Sequence, residues 1–435
     1  MAQFRKDSHQ YLADGTTMFE VVMLADKYGN LVGGANPSGM AVDAFGRMRV
    51  SEPLTLFESF HRFADNGKIS QANSVNANTV HDPNAGLIKC NINTGSGEYV
   101  YRESNKVFAY QPGKSLQIMQ TFAMNPPKAN LVQRFGYFGN NNGFFLEQSN
   151  SDIYFVKRSS SNGMIVETRV PQSQWNVDTM QGNVNTSPSH LTLDLTKAQI
   201  LFTDIEWLGV GSARQGFVIN GQFIHCHTWH HANIIDSTYM TTACLPVRAE
   251  IYNTGTTSSN STLKIICTTV ISEGGYSLRS SKQRSLGQNP ANTIAMATAG
   301  TYYPLVSIRL NPSYIDGIVV PRNISVLPTS TGNYRYKLVI GATINGAVWT
   351  DYASDSIVQY NSNTSATMTG GTDLASGYVV TTPQSTGTIN LDPELFRYQL
   401  ERNSFTNTPT TLTLALTSDG ATDTACGSMD WEEIT

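Results

Sequence analysis

Charge is what this chain has little of. Asp, Glu, Lys and Arg make up only 14% of its 435 residues, against roughly a quarter in an average soluble domain, so uncharged polar groups must keep its surface wet. Asn, Ser, Thr and Gly fill that role, and they favour turns and solvated strand faces over helices. The net charge of -4 leaves no basic excess to neutralise a phosphate backbone, which argues against nucleic acid as the main ligand. No apolar run approaches the ~20 residues of a membrane helix, so no membrane partner is expected. The opening residues MAQFRKDSHQYLADG hold no apolar core. A secretory signal is therefore not expected, and the chain should be made in a cytosol and leave it only by lysis.

Cysteine is sparse and scattered. Cys90, Cys226, Cys244, Cys267 and Cys426 form no CxxC pair and are expected as buried, reduced, small hydrophobes. There is no GxSxG elbow and no GxxxxGK[ST] phosphate loop. Gly209, Val210, Gly211 and Ser212 are followed by no helical pattern, so a phosphate cradle is not expected there.

What the chain does have is strand signal. From Glu98 onward, strand-like runs cover 98–110, 115–124, 131–138 and 144–148, then 152–159, 164–170, 200–208, 215–220, 222–229, 247–252 and 262–272. Turn chemistry separates them: GNNNG at 139–143, Ser161-Asn162-Gly163, and Asn220-Gly221, all able to adopt the positive φ of tight hairpins. Many short strands at close spacing indicate a sandwich or jelly roll. The best helical candidates are single turns such as 196–199. Residues 303–310, 315–320, 324–327, 334–340, 412–416 and 427–431 read as a second set. The clearest of that set is 395–402, where Phe396, Tyr398 and Leu400 alternate with Arg397, Gln399 and Glu401.

The expected fold is all-β. A jelly-roll-like β-sandwich spans 60–275 and a second, smaller β-sandwich spans 300–435. The polar stretch 276–299 between them, with Arg279, Lys282 and Arg284, reads as a solvated linker that could touch an acidic partner or DNA. An extended N-terminal arm and strap cover 1–59. Within the arm, 19–24 could form one strand. Within 37–59, Gly39, Gly46 and Pro53 argue against a helix and against a regular strand. Val42, Phe45, Met48 and Val50 are too apolar for a free linker, and Arg47 and Arg49 alternate where carboxylates could meet them. An ordered strap docked on the first sandwich is expected, delivering the arm to an intersubunit contact.

Two constellations could carry chemistry. In FIHCHTWHH, His225 and His227 share one face of a regular strand with Trp229, while Cys226 points away. Together with His230, His231 and a carboxylate such as Asp236 or Glu250, they could meet Zn2+ or Ni2+. Packing and hydrogen bonding explain such histidines more often. In TDIEW, Asp204 and Glu206 share a face and could serve as an acid–base pair on a sugar, although solvated strand residues look the same. Tyrosine and tryptophan rings on a sandwich can stack on sugars, but no residue stands out for that role.

Several blocks resemble a family of virion structural proteins of tailed bacteriophages, especially the large contractile-tailed phages of marine cyanobacteria and their relatives. These are AVDAFGRMRVSEPLTLFES (41–59), FAYQPGKSLQIMQTFAMNPPKANLVQRFGYF (108–138), ILFTDIEWLGVGSARQGFVINGQFIHCHTWHHAN (200–233), VISEGGY (270–276), RYQLERNSFTNTP (397–409) and MDWEEI (429–434). The resemblance implies an assembly component of the tail in a baseplate, collar or fibre attachment. A homotrimer is expected, neighboured by other virion proteins, assembled in the host cytoplasm and resident in the virion. A capsid decoration or head-fibre protein is the alternative, as is a receptor- or glycan-binding module for a host surface glycan; a glycan-cleaving enzyme ranks last. The family supplies no catalytic residue, so no catalytic, cofactor-binding or metal residue is assigned and no enzyme activity is expected.

Overall fold

The computed structural model describes residues 9–11, 18–20, 53–183, 185–277, 281–381, 387–391 and 396–434. Every strand pairing among them is antiparallel, and their only helical elements are two 3-10 turns, Gln172–Gln174 and Pro312–Tyr314. The first sandwich faces a seven-stranded sheet against an eight-stranded one. The seven-stranded sheet runs, in spatial order, Val166–Pro171, Asp152–Ser159, Gly143–Ser149, Leu131–Phe138, Val247–Asn253, Tyr99–Ser104 and Ile69–Asn73. The other runs Gln222–Trp229, Ala213–Ile219, Gln199–Ile205, Ser115–Ala123, Ser261–Glu273, Leu87–Ile92 and Asn78–Asp82, with Leu54–Phe60 also on Ser261–Glu273.

Alternation builds the core between these sheets. Phe135 and Phe122 project from facing sheets and stack at 4.1 Å and 11°. Tyr137, Phe144, Phe155 and Phe217 are sealed around them. Fully burying one such ring contributes ~2–3 kcal/mol. The hairpin turns fall at the expected places. Asn220 and Gly221 take φ of 52° and 76°, as a two-residue hairpin of the mirror-image type requires.

The second sandwich is smaller. One sheet orders Lys282–Gly287, Asp423–Ile434, Ile318–Pro328 and Gly387–Asn390, with Ile294–Met296 also on Asp423–Ile434. The other orders Trp349–Asp351, Val358–Asn361, Tyr303–Leu310, Leu412–Ser418, Asn333–Ile340 and Thr372–Val380. Trp431, Leu414, Leu338 and Val326 fill the space between them.

Several sequence expectations are corrected. Much of 276–299 is no linker: Lys282–Gly287 and Ile294–Met296 pair with Asp423–Ile434. Ile294 and Met296 enter the core, while Lys282 and Arg284 reach Asp355 at 3.5 and 2.9 Å; Arg279 lies outside the described residues. The runs 315–320 and 324–327 are one strand, bulged between Pro321 and Asn323, since proline cannot donate to the ladder. Three strands lie between residue 60 and Glu98: Ile69–Asn73, Asn78–Asp82 and Leu87–Ile92. The first two are short and polar with wet outer faces, which hides their periodicity. Thr196 begins no helix. It donates to the Asp194 carboxylate in a turn.

Residues 37–52 of the strap, with Arg47 and Arg49, lie outside the described residues, as do 21–24 of the arm strand. Met18–Glu20 pairs with His9–Tyr11. The end of the strap is a strand, though a bulged one: Leu54–Phe60 docks antiparallel on Ser261–Glu273 with Leu56 as the extra residue, so the first sandwich begins before residue 60. Its burial alternates, with Phe57 and Ser59 turned inward, because once past Pro53 the chain can donate to a ladder.

Of the alternating stretch 395–402, residues 396–401 form no strand, and only Arg402 pairs, in the short ladder Arg402–Asn403 with Thr408–Pro409. Phe396 has a φ of 67°, and the segment bonds across both sandwiches instead of along a sheet. Leu400 N donates to Val319 O at 3.0 Å, Arg402 N to Asn105 O at 2.9 Å, and Gln399 Nε2 to Val107 O at 2.8 Å. Phe396 joins Val107, Ala109, Ile318 and Val320 in an apolar cluster between the sandwiches, with Tyr276 edge-on to it at 4.8 Å.

Candidate functional site

The outer face of the seven-stranded sheet carries the densest chemistry of the described residues. Its inward residues, such as Val100, Ile251, Phe135 and Leu146, belong to the core, so their neighbours in sequence point outward. Strand register lines up two rows there. One reads Tyr101, Glu250, Arg134, Glu147, Tyr154. The next reads Glu103, Arg248, Gly136, Phe145, Val156, Arg169.

Opposite charges therefore meet across adjacent strands. Arg134 reaches Glu147 at 2.7 Å and Glu250 at 3.3 Å. Arg248 reaches Glu250 at 2.7 Å and Glu103 at 2.9 Å. Arg169 adds a 2.8 Å contact to Glu147, and Arg158 a 2.7 Å contact to Glu167. The chain of pairs continues out of the sheet, since Arg402 Nη2 lies 2.7 Å from Glu103 and 2.9 Å from Asp316.

The inner carboxylates are sealed from water: Glu103 is 1% exposed, Glu147 2% and Glu250 4%, while Arg169 and Asp316 at the ends reach solvent. Burying a charge is tolerated only when a partner neutralises it, which the ladder provides. The guanidinium carbons of Arg134, Arg158 and Arg248 lie 5.0–5.6 Å above the rings of Phe145 and Phe138. They roof an apolar patch that would otherwise face solvent. Gly136 is dictated by this crowding, because a Cβ there would sit 2.2 Å from Phe144 O.

The arrangement can orient and hold, but it offers no free acid or base. Burial opposes the Arg134 charge, yet Tyr252, Glu147, Glu250 and Glu167 more than offset it and raise its pKa. Burial likewise works against the Glu167 carboxylate, and Arg134, Arg158 and Arg169 outweigh it and hold its pKa below the ordinary range. Beside the ladder stand half-buried tyrosines: Tyr99 and Tyr101 stack at 4.7 Å, and Tyr252 meets Tyr101 edge-on at 6.1 Å. Burial pushes Tyr252 up to about 12. No sequence expectation singled out this face. Its signal was present as charged residues alternating within runs that also alternate aromatic, EYVYRES, LVQRFGYF and VRAEIYN.

The histidine cluster is not brought together as expected. A bulge between Gln215 and Gly216 places Gln215 opposite His227 and Gly216 opposite His225, which leaves Cys226 as the extra residue. The bulge breaks the period of two, so His225 and His227 point to opposite faces, and Trp229 sides with His227 alone. His225 Nε2 contacts Thr228 Oγ1 at 2.9 Å. His227 Nδ1 accepts from Asn176 N at 3.3 Å, and its ring stands edge-on to Trp229 at 4.7 Å. His231 stacks on Tyr239 at 3.8 Å and its Nδ1 donates to Gly211 O. Burial depresses all three to about 4, while His230 and Asp236 are exposed. Glu250 belongs to the ladder on the other sheet. Among the described residues no three His, Cys, Asp or Glu side chains converge.

Asp204 and Glu206 do not form a working pair either. Asp204 is buried against Arg214 at 2.8 Å, its register partner on the next strand. Glu206 lies past the strand end, in a turn closed by its own N–H to Ser212 O. Cys90, Cys226 and Cys426 are buried thiols, and Cys244 and Cys267 are half-buried; burial pushes Cys90 up to about 12.

No family model matches the chain, and no curated protein matches it. Solved structures with some likeness include the carbohydrate recognition domain of Emp47p, with a TM-score of 0.32 and 8% identity over 51% of this chain and 97% of that one. The legume lectin-like domain from Entamoeba histolytica has a TM-score of 0.30 and 8% identity over 49% of this chain and 96% of that one. The CBM2 module of the evolved Dit of Lactobacillus casei BL23 phage J-1 has a TM-score of 0.33 and 7% identity, covering 52% of this chain and 99% of that one. Likeness at this level bears on neither ligand nor activity.

Proposed function

We propose that this chain is a structural component of a bacteriophage virion, an assembly part of the tail at a baseplate, collar or fibre attachment. It works as a homotrimer beside other virion proteins and performs no catalysis. The observation that supports this most is the filled junction between the sandwiches. An enzyme that works between domains keeps a cleft there. Here Phe396, Gln399, Leu400 and Arg402 fill it, and the buried ionic ladder runs through it. Two of the stretches that resemble phage virion proteins occupy such framework positions. Residues 397–409 hold the junction, and 429–434 lie in the strand Asp423–Ile434, which is central to its sheet.

A glycan-binding module is the second reading. The half-buried rings of Tyr99, Tyr101 and Tyr252 favour it, since sugar rings stack on such faces. Quantitative gel densitometry of purified particles tests the first reading. Tens of copies per particle support a tail component, and hundreds would replace it with capsid decoration. A glycan array on the purified chain tests the second, with Tyr101→Ala as control: binding that the control abolishes would favour the module.

A further inference from the structure

At one end of the second sandwich, the loop 329–332 faces the connection 419–422 between Leu412–Ser418 and Asp423–Ile434. Two carboxylates meet there. Asp423 is only 9% exposed, and its Oδ2 is buried without any hydrogen-bond partner. A Cβ built on Gly332 would lie 3.3 Å from Asp423 Oδ2 and also 3.3 Å from Asp419 Oδ1, so both oxygens border the space that Gly332 leaves open. Gly420 keeps the other side clear, since a Cβ on it would lie 2.6 Å from Asp423 Oδ2.

We propose that Asp419 and Asp423 bind a Ca2+ ion in the space beside Gly332. A buried carboxylate needs a neutralising partner, and no Lys or Arg among the described residues pairs with either one. Asp419 is held in place, because Asn333 donates to it from its side chain at 2.5 Å and from its backbone N at 3.1 Å. The polar atoms nearest that position are the two carboxylate oxygens, and an oxygen donor set suits a hard cation rather than Zn2+. Two carboxylates on a partly open loop, with water completing the shell, match the flexible oxygen coordination of Ca2+ better than the strict octahedron of Mg2+. The site is separate from the ladder and does not depend on the proposed virion role.

The test uses the full chain, stripped with chelator and titrated with Tb3+ under tyrosine excitation. The Tyr334 Cε2 lies 3.5 Å from that same Gly332 position, so bound Tb3+ should emit strongly. Ca2+ should displace it and raise the melting temperature, and equimolar Mg2+ should not. Asp423→Asn should weaken Tb3+ binding at least tenfold while melting no lower than the metal-free parent, because it removes an unpaired buried charge. Gly332→Ala, which fills the space, should also abolish the emission and covers the case in which Asp423→Asn fails to fold. Absence of sensitised emission in the parent chain would overturn the proposal. So would emission or a Ca2+-induced melting shift that survives both substitutions. Displacement by equimolar Mg2+ would overturn the choice of ion.

Discussion

Arg402 and Glu103 form an ion pair of 2.7 Å across 299 residues of sequence. Their side chains are 2% and 1% exposed. The same guanidinium also serves Asp316 and the carbonyl of Ser104. One planar fork thus ties the ladder of the first sandwich to the segment that wedges the two sandwiches together.

Removing that fork should be costly. Arg402→Met leaves the buried Glu103 with less compensation and the Ser104 carbonyl without its donor. We expect a loss of about 3 kcal/mol, read from urea unfolding. Arg402→Lys should not rescue it, because a single ammonium cannot span three acceptors in a plane. An unchanged midpoint in the Met variant would refute the role of the pair.

Acid should weaken the fold through its histidines. His225, His227 and His231 sit at about 4 when folded, against roughly 6.5 unfolded. The unfolded chain therefore takes up protons that the fold refuses. Above about pH 6.5 these groups give stability no pH dependence, and between about 6.5 and 4 stability falls as pH falls. Each should contribute more than ~1 kcal/mol to that loss. His227→Gln should flatten the difference between urea midpoints at about pH 7.5 and about pH 5. An identical slope in the variant would contradict the assignment.

Two neighbouring glycines should respond differently. A Cβ on Gly216 would meet Ile224 O at 2.1 Å beside the bulge, so Gly216→Ala should cost more than ~3 kcal/mol. Gly221 has open space around it and a φ of 76°, so Gly221→Ala should cost only the ~1 kcal/mol of a left-handed alanine. Thermal melts of the two variants decide this, and equal losses would contradict it.

Much of the fold is legible locally. The strands Leu131–Phe138, Asp152–Ser159 and Gln222–Trp229 and their Asn-Gly turns follow from short-range pattern alone. What misleads is the same alternation in another setting. Residues 396–401 alternate because Tyr398 and Leu400 pack on the core of the second sandwich while Gln399 and Glu401 bond to Val107 and Lys106 of the first, with no sheet pairing before Arg402. In Gln222–Trp229 a single bulged residue reverses the facing of every side chain after Cys226, which removes the expected histidine pair. The ladder was hidden for the opposite reason. Arg134 and Glu147 read as solvated strand residues until strand register sets them beside each other under a common roof.

The central claim, that this chain belongs to a virion, is tested most directly by separating tails from heads in gradient-purified particles. Each fraction is then assayed for the chain by mass spectrometry after a high-salt wash. The account predicts that the chain stays with the tails at a fixed copy number divisible by three. Finding it only among unassembled soluble proteins of the lysate would contradict the account.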